Sequence, residues 1–233
     1  MFKYIFLAFV FQFFVGATIG WGIEVLFRRF VSRKKWMNPG LLTGPYLPIY
    51  GFGNCFLYGF CYRMNLFGGL NDYLSVFLIF LFSAFFMTMM ELVSGLFLLK
   101  HYNLRLWNYE KEKFNYKGVI CLRFSLIWGL VSIVYYYLIN PFVDRLLWYY
   151  IENIYLSYFV GMLSGFFIID FWNTMGITNA IKKYAKNNNF VVYYEEFKEK
   201  VADFRQQLGA KRRFFIKPRI DYINSILDKI RNQ

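Results

Sequence analysis

Histidine occurs once in the 233 residues and cysteine three times, so the chain has too few of either for a multi-histidine metal site or a zinc or thiol centre. Cys55, Cys61 and Cys121 show no C-x-x-C spacing and read as small packing residues. His101 stands beside Lys100 with no second histidine one helical turn away, which excludes the H-E-x-x-H zinc helix. No G-x-x-x-x-G-K-[ST] occurs either, so no ATPase of that type lies in this polypeptide. No metal and no cofactor is expected. Acids are scarce, 14 against 27 basic residues, for a net charge of +13. In a soluble protein that excess would suggest nucleic acid, but the sequence carries no nucleic-acid module and no usable internal repeat.

What the chain has in abundance is apolar surface. Apolar residues make up 58% of it, with 30 Phe and 20 Tyr, more than the core of a soluble domain of this size can bury. Five runs carry the excess: Tyr4 to Phe27, Leu47 to Leu66, Tyr73 to Leu99, Leu122 to Ile139 and Ile154 to Trp172. At about 1.5 Å per residue each is long enough to cross a hydrocarbon core of about 30 Å, and a backbone in lipid must satisfy its own hydrogen bonds. The expected fold is therefore all-α, a polytopic membrane bundle of about five transmembrane helices. The first run is not read as a cleaved signal, because it continues through Trp21 to Phe27 and its basic cluster follows it.

Charge position sets the expected orientation. Of the 27 basic residues, 24 fall after the first span, between the third and fourth spans, or after Gly176, all on one side of a five-span arrangement. Only Lys3, Arg63 and Arg145 lie toward the other side. The positive-inside rule then puts the N-terminus outside and the C-terminus in the cytoplasm. Residues 1–175 read as the transmembrane domain and 176–233 as a basic, amphipathic, helical cytoplasmic tail. In that tail Phe197, Val201, Phe204 and Leu208 form one helical stripe, and Ile220, Ile223, Leu227 and Ile230 form a second after Pro218. Two such helices could pair, lie on the inner leaflet or dock on a partner. The linker residues Lys211, Arg212, Arg213, Phe214 and Phe215 suit anionic lipid, a solvated hairpin being the plain alternative. Asn140 to Asn153 mixes Trp and Tyr with charges, as a helix in the outer interface does.

Three acids fall inside the apolar runs, where a charge costs at least ~2.5 kcal/mol. Glu24 shares a face with Gly16 and Gly20; Glu91 shares one with Ala84, Thr88 and Gly95; Asp170 lies one turn before Asn173 and Thr174. Measured by helical rise, Glu24 is ~6 Å before Arg28, Glu91 ~14 Å before Lys100 and Asp170 ~18 Å before Lys182, so all three lie in the cytoplasmic half. The segment "GPYLPIYGFG", Gly44 to Gly53, enters from that side and breaks the helix with Pro45 and Pro48. Together these residues predict a polar cavity open to the cytoplasm, walled by Glu24, Glu91 and Asp170, with Tyr46, Tyr50 and Asn54 on the broken segment and Gly51 allowing close approach. The competing readings are that the acids pair with Arg28, Arg29 or Arg123 to fix helix register, and that the broken segment is an ordinary loop.

The ordered motifs "GWGIEVLFRR", "MNPGLLTGPYLPIYGFG" and "LWNYEKEKFNYKGVICL" resemble those of a bacterial membrane family described as ABC-transporter type IV, over roughly Ile19 to Thr174. Glu24 matches the family's acid at the end of the first span. Asn38, Gly40, Gly44 and Pro45 match its Asn-x-Gly-x-x-x-Gly-Pro turn, and Pro48 to Gly51 its Pro-Ile-Tyr-Gly. The family's Trp-Asp-Tyr-Ser reads Trp107, Asn108, Tyr109, Glu110 here, so a function needing an ionised Asp would be altered, while Phe114, Asn115 and Gly118 fit. The resemblance implies a permease-like, multi-pass component of the bacterial cytoplasmic membrane, with any ATPase on a separate subunit. Besides the lipid bilayer, that subunit and a second copy of the chain are the partners left open. Two alternatives stand beside transport: an enzyme acting on a lipid or lipid-linked substrate through Glu91 or Asp170, and a structural or regulatory protein that recruits a partner through its tail.

Overall fold

The computed structural model describes residues 2–32, 34–66, 72–207 and 220–231. Eight helices carry almost all of it: α1 (Phe2–Phe27), α2 (Pro48–Leu66), α3 (Asp72–Tyr102), α4 (Leu122–Val134), α5 (Asn140–Glu152), α6 (Ser157–Asn187), α7 (Tyr194–Gln207) and α8 (Ile220–Arg231). Among the described residues, four helical stretches are long and apolar enough to cross a membrane: Ile5–Ser32, Tyr73–Tyr102, Leu122–Glu152 and Ile154–Asn187. The fold is an all-α membrane bundle. Helix α2, 19 residues, is not among those four, its apolarity diluted by Gly51, Gly53, Asn54, Gly59, Arg63 and Asn65.

Gly51 and Asn54 of these, with Tyr50, bind α2 to α1. A Cβ on Gly16 would stand 2.2 Å from the Asn54 side chain, and one on Gly20 would stand 2.2 Å from the ring of Tyr50. Gly51 in turn lies against Phe13. Residue numbers fall on α2 as they rise on α1, so the helices are antiparallel along most of α1, and the close approach is dispersion-driven packing of the kind small residues permit in lipid. Phe56 stacks on Phe86 of α3 and Phe60 meets Phe82 at a tilt, again antiparallel. Helix α4 returns along α3, with Gly129 under the Phe80 ring, the Ser132 hydroxyl on Gly129 O at 2.6 Å, and Thr88 donating to Ser125 at 2.8 Å.

A π-helical turn, Tyr135–Ile139, joins α4 directly to α5, whose second residue is Pro141. Val143, Leu147 and Tyr150 are the buried stripe of α5; Tyr150 stacks on Phe11 and Asp144 accepts from the Tyr58 hydroxyl at 2.7 Å. Helix α6 begins after a short 3₁₀ turn, Ile154–Leu156, and runs 31 residues without a break, passing straight through position 175.

A second core closes the end of the bundle that carries the basic segments, here called the basic end. It is built from Tyr102 and Leu104, from Ile177, Ile181 and Tyr184 of α6, and from Val192, Tyr194, Phe197, Val201, Ile223, Ile226 and Leu227 of the tail. One short ladder seals it, β1 (Leu104–Arg105) pairing in parallel with β4 (Val192–Tyr193); a second, β2 (Asn115–Tyr116) antiparallel with β3 (Ile120–Cys121), lies within the α3–α4 loop. Of the stripes expected in the tail, Phe197, Val201, Ile223 and Leu227 are buried in this core and Phe204 and Ile230 pack against it; the side chain of Ile220 is outside the described residues. Leu208, Pro218 and the linker residues Lys211 to Phe215 lie outside the described residues, as does Arg33.

Candidate functional site

The segment before α2 is irregular because its backbone is held by side chains rather than by a helix ladder. Asn38 accepts from the Trp21 indole at 2.7 Å and donates to Thr43 O at 2.7 Å, stapling the turn to α1 and to itself. Leu47 N donates to Ala17 O at 3.0 Å, and Pro48 then opens α2, where its missing N–H costs nothing. Asp170 of α6 secures the middle. Its Oδ2 accepts from Thr43 N at 2.9 Å, from Gly44 N at 2.8 Å and from the Tyr46 hydroxyl at 2.9 Å. Burial first, and then the Asp170 bond and charge, push the Tyr46 hydroxyl up, which keeps it a neutral donor. Pro45 is exposed at the outer edge of the turn.

Glu24 is compensated differently. Its Oε1 accepts from Arg28 Nε at 3.1 Å, one turn along the helix, and its Oε2 from the Tyr50 hydroxyl at 3.0 Å. Arg28 also pairs with Glu195 of α7. One turn further into α2, Asn54 is buried and donates to both Gln12 O at 2.8 Å and Gln12 Oε1 at 2.9 Å.

Glu91 is the exception. It is 5% exposed, and one oxygen, Oε1, accepts a long bond of 3.3 Å from the Tyr109 hydroxyl. The other, Oε2, is buried without a hydrogen-bond partner, and among the described residues Glu91 makes no ion pair. The Trp128 indole of α4 lies beside the carboxylate, but its Nε1 falls outside hydrogen-bond geometry and is likewise unpartnered. Tyr50 meets Trp128 edge-on at 5.3 Å between ring centroids, so the Glu24 and Glu91 groups are joined through that pair of rings.

Tyr109 reaches Glu91 because the loop between α3 and α4 folds back on the bundle. Trp107 Nε1 donates to Val119 O at 2.8 Å, Tyr109 N to Gly118 O at 2.9 Å, and Val119 and Trp107 both lie against Gly95, one turn from Glu91. Asn115 accepts from Gly118 N at 3.1 Å. Gly118 sits at φ +66, and a Cβ there would meet Glu110, Arg105 and Asn108 at under 3.0 Å. Asn108 is exposed; its Oδ1 accepts from Glu110 N at 2.9 Å and from Arg105 Nη1 at 3.2 Å, an acceptor role that an amide fills as an Asp would. The Tyr109 ring stacks on Phe124 at 4.6 Å. Burial, followed by the charges of Glu91 and Glu24, raises the Tyr109 hydroxyl well above the usual phenol range, so it stays protonated and can donate to Glu91.

The tail clasps the turn from the basic end. Tyr194 donates to Leu41 O at 3.1 Å, and Lys198 Nζ donates to Asn38 O at 3.1 Å and to Gly40 O. Burial and the nearby Arg28 charge lower Lys198 to about 7, against the opposing pull of Asp170. Of the residues the sequence singles out, Glu24, Tyr50 and Glu91 meet in one cluster with Tyr109, while Asp170, Tyr46, Gly44, Asn38 and Gly40 meet in the turn. Trp128, Gln12, Tyr194 and Lys198 were not singled out. The tryptophan stands alone in an apolar run, and nothing in its spacing marks it. Among the described residues no three His, Cys, Asp or Glu side chains gather as metal ligands would.

No curated protein and no solved structure matches the chain. The sequence model of one family, described as "Putative ABC-transporter type IV", matches residues 11–175, from α1 to the middle of α6. The chain belongs to that family and is a membrane transport component.

Proposed function

We propose that the chain is the permease-like subunit of a transport system in the bacterial cytoplasmic membrane, handling its cargo at a polar cavity that opens to the cytoplasm around Glu91 and Glu24. The observation that carries this reading is the state of Glu91: a carboxyl group buried among helices α2, α3 and α4, one oxygen without a hydrogen-bond partner and, among the described residues, no ion pair. Burying such a group is costly, and membrane proteins keep uncompensated acids chiefly where an ion, proton or polar substrate passes. The antiparallel run of α2 along α1 supports counting α2 as a fifth span, with the N-terminus outside and the basic end in the cytoplasm. Asp170 belongs to this reading as the anchor of the turn beneath the cavity rather than as a ligand.

Energy then comes from a separate ATPase subunit, docked at the basic end where the α3–α4 loop and the tail meet. The test is affinity purification of the full chain from its native membrane, followed by reconstitution with the ATPase recovered. Co-purification, together with ATP-dependent flux that Glu91→Gln reduces at least tenfold, is the expected result. Full flux in the Glu91→Gln protein would sink the cavity, and recovery of the chain free of any ATPase would sink the subunit assignment.

A further inference from the structure

The loop between α3 and α4 turns two rings outward. Phe114 is 82% exposed and Tyr116 51%, although the hairpin that carries them is tightly built. Asn115 Nδ2 donates to Glu112 O at 2.8 Å while its Oδ1 accepts from Gly118 N at 3.1 Å, and the β2–β3 ladder closes the base. Phe114 and Lys117 stand at φ +53 and +52, in the left-handed region that bulky side chains rarely enter. The strain holds a phenylalanine away from the protein, the reverse of what apolar surface in water favours.

The charges of the hairpin are one-sided. Its two acids are paired, Glu110 with Arg105 at 2.9 Å and Glu112 with Arg123 at 3.1 Å. Lys111, Lys113 and Lys117 are exposed and, among the described residues, make no ion pair. The neighbouring helices give the depth of this group. Thr88 of α3 bonds Ser125 in the first turn of α4, so α4 starts level with Glu91, while α3 runs on for about 16 Å to Tyr102. The membrane-crossing stretch there begins at Leu122, whose side chain is exposed along with those of Leu126, Ile127 and Leu130. Asn115 pairs with Cys121, which sets Phe114 opposite Leu122. The exposed ring therefore continues the lipid-facing surface of α4 at its basic end, with three lysines around it.

A ring at the rim of a lipid-facing belt inserts among headgroups, and lysine stems beside it carry their charges to phosphates. An excess of unpaired lysine favours a leaflet of anionic lipid. A protein partner has a different place to meet the loop, at β1, which pairs with β4 of the tail on the other ladder. We propose that the 109–121 hairpin docks on the leaflet at the basic end, with Phe114 inserted at the interface and Lys111, Lys113 and Lys117 on anionic phospholipid headgroups. The docking holds whatever the chain transports. Because Tyr109 N donates to Gly118 O, a docked hairpin also steadies the phenol that reaches Glu91.

The experiment uses the purified full chain in nanodiscs of phosphatidylcholine, with or without phosphatidylglycerol. Phe114→Trp adds an indole at the tip, and its emission, taken as the difference from the parent protein, should be quenched by lipids brominated in their acyl chains. Native mass spectrometry of the detergent-solubilised parent offered both lipids should show phosphatidylglycerol retained in preference. Lys111→Gln, Lys113→Gln and Lys117→Asn together should lower that preference roughly tenfold or more, since each lysine at an anionic surface contributes about fivefold. Asn tolerates the left-handed backbone at 117, so the hairpin is kept. Lys183→Gln with Lys186→Gln, which removes exposed charge from the far end of α6, should change the preference little. An unquenched indole in the folded Phe114→Trp protein, no lipid preference in the parent, or an equal loss of preference in the α6 variant would each overturn the docking. Shielding of the indole from brominated lipid by a co-purified subunit would overturn it too, and assign the tip to a protein. Should Phe114→Trp fail to fold, hydrogen exchange over 109–121 in the parent decides: slower exchange with phosphatidylglycerol present is expected, and equal exchange in both discs would refute the docking.

Discussion

Asp170 shows how an acid in a membrane helix can be structural. It holds two backbone N–H groups and a phenol of the turn, so Asp170→Ala leaves these part-buried donors without their acceptor, at a cost of about 1 to 3 kcal/mol. Asp170→Asn keeps one acceptor and should cost about 1 to 2 kcal/mol. Thermal unfolding of the two variants in detergent checks the order; a large loss of function in Asp170→Asn at unchanged melting temperature would instead mark Asp170 as a ligand. Helical spacing alone could find all three acids, because period and rise are properties of the sequence. It could not rank them, because their partners come from residues far along the chain: Thr43 for Asp170, Tyr109 and Trp128 for Glu91. The register-fixing alternative matches Glu24, whose partner is its own neighbour Arg28.

At the scale of elements, two glycines carry sharp predictions. Gly20→Ala would place a methyl 2.2 Å from the Tyr50 ring, forcing α1 and α2 apart, and should destabilise the protein by about 1 to 3 kcal/mol, seen as a lower melting temperature and lower yield. Gly22→Ala, on the same helix with open space at its Cβ, is the control and should change little. Gly118→Ala strains a left-handed backbone position and crowds Arg105 and Asn108, costing about 1 to 2 kcal/mol locally. Because that hairpin delivers Tyr109, the variant should increase hydrogen exchange over 104–121 before the bundle itself melts. Helices of this length and apolarity are legible from hydropathy, and α2 starts at Pro48, one residue into the expected run. The fold-back of the α3–α4 loop was not legible. Its motif residues Trp107, Tyr109, Asn115 and Gly118 show spacing but not that Tyr109 turns inward to an acid 18 residues earlier.

For the whole molecule, the tail is the piece that ties the helices together at one end. Lys198 sits on carbonyls of the Asn38–Gly40 turn, and a neutral amine retains two N–H donors, enough for both. Its native value of about 7 lies below the ordinary 10.5, so between those limits the undocked helix binds the extra proton and docking strengthens as pH rises; below about 7 that gain is lost. Protection of α7 amides, corrected for intrinsic exchange, should therefore be higher near pH 9 than near pH 6, and Lys198→Met should flatten the dependence. The amphipathic stripes of α7 and α8 were readable from period, but not their seat, since β1 and β4 pair across 88 residues and no local pattern encodes that. The same pairing constrains biogenesis. With about 5 to 20 residues added per second, Leu104 leaves the ribosome roughly 4 to 18 seconds before its partner Val192 exists, and α8 comes later still. During that interval Leu104 lacks the partner strand that covers it, and a product ending before Val192 would present Leu104, Ile177 and Ile181 to proteolysis.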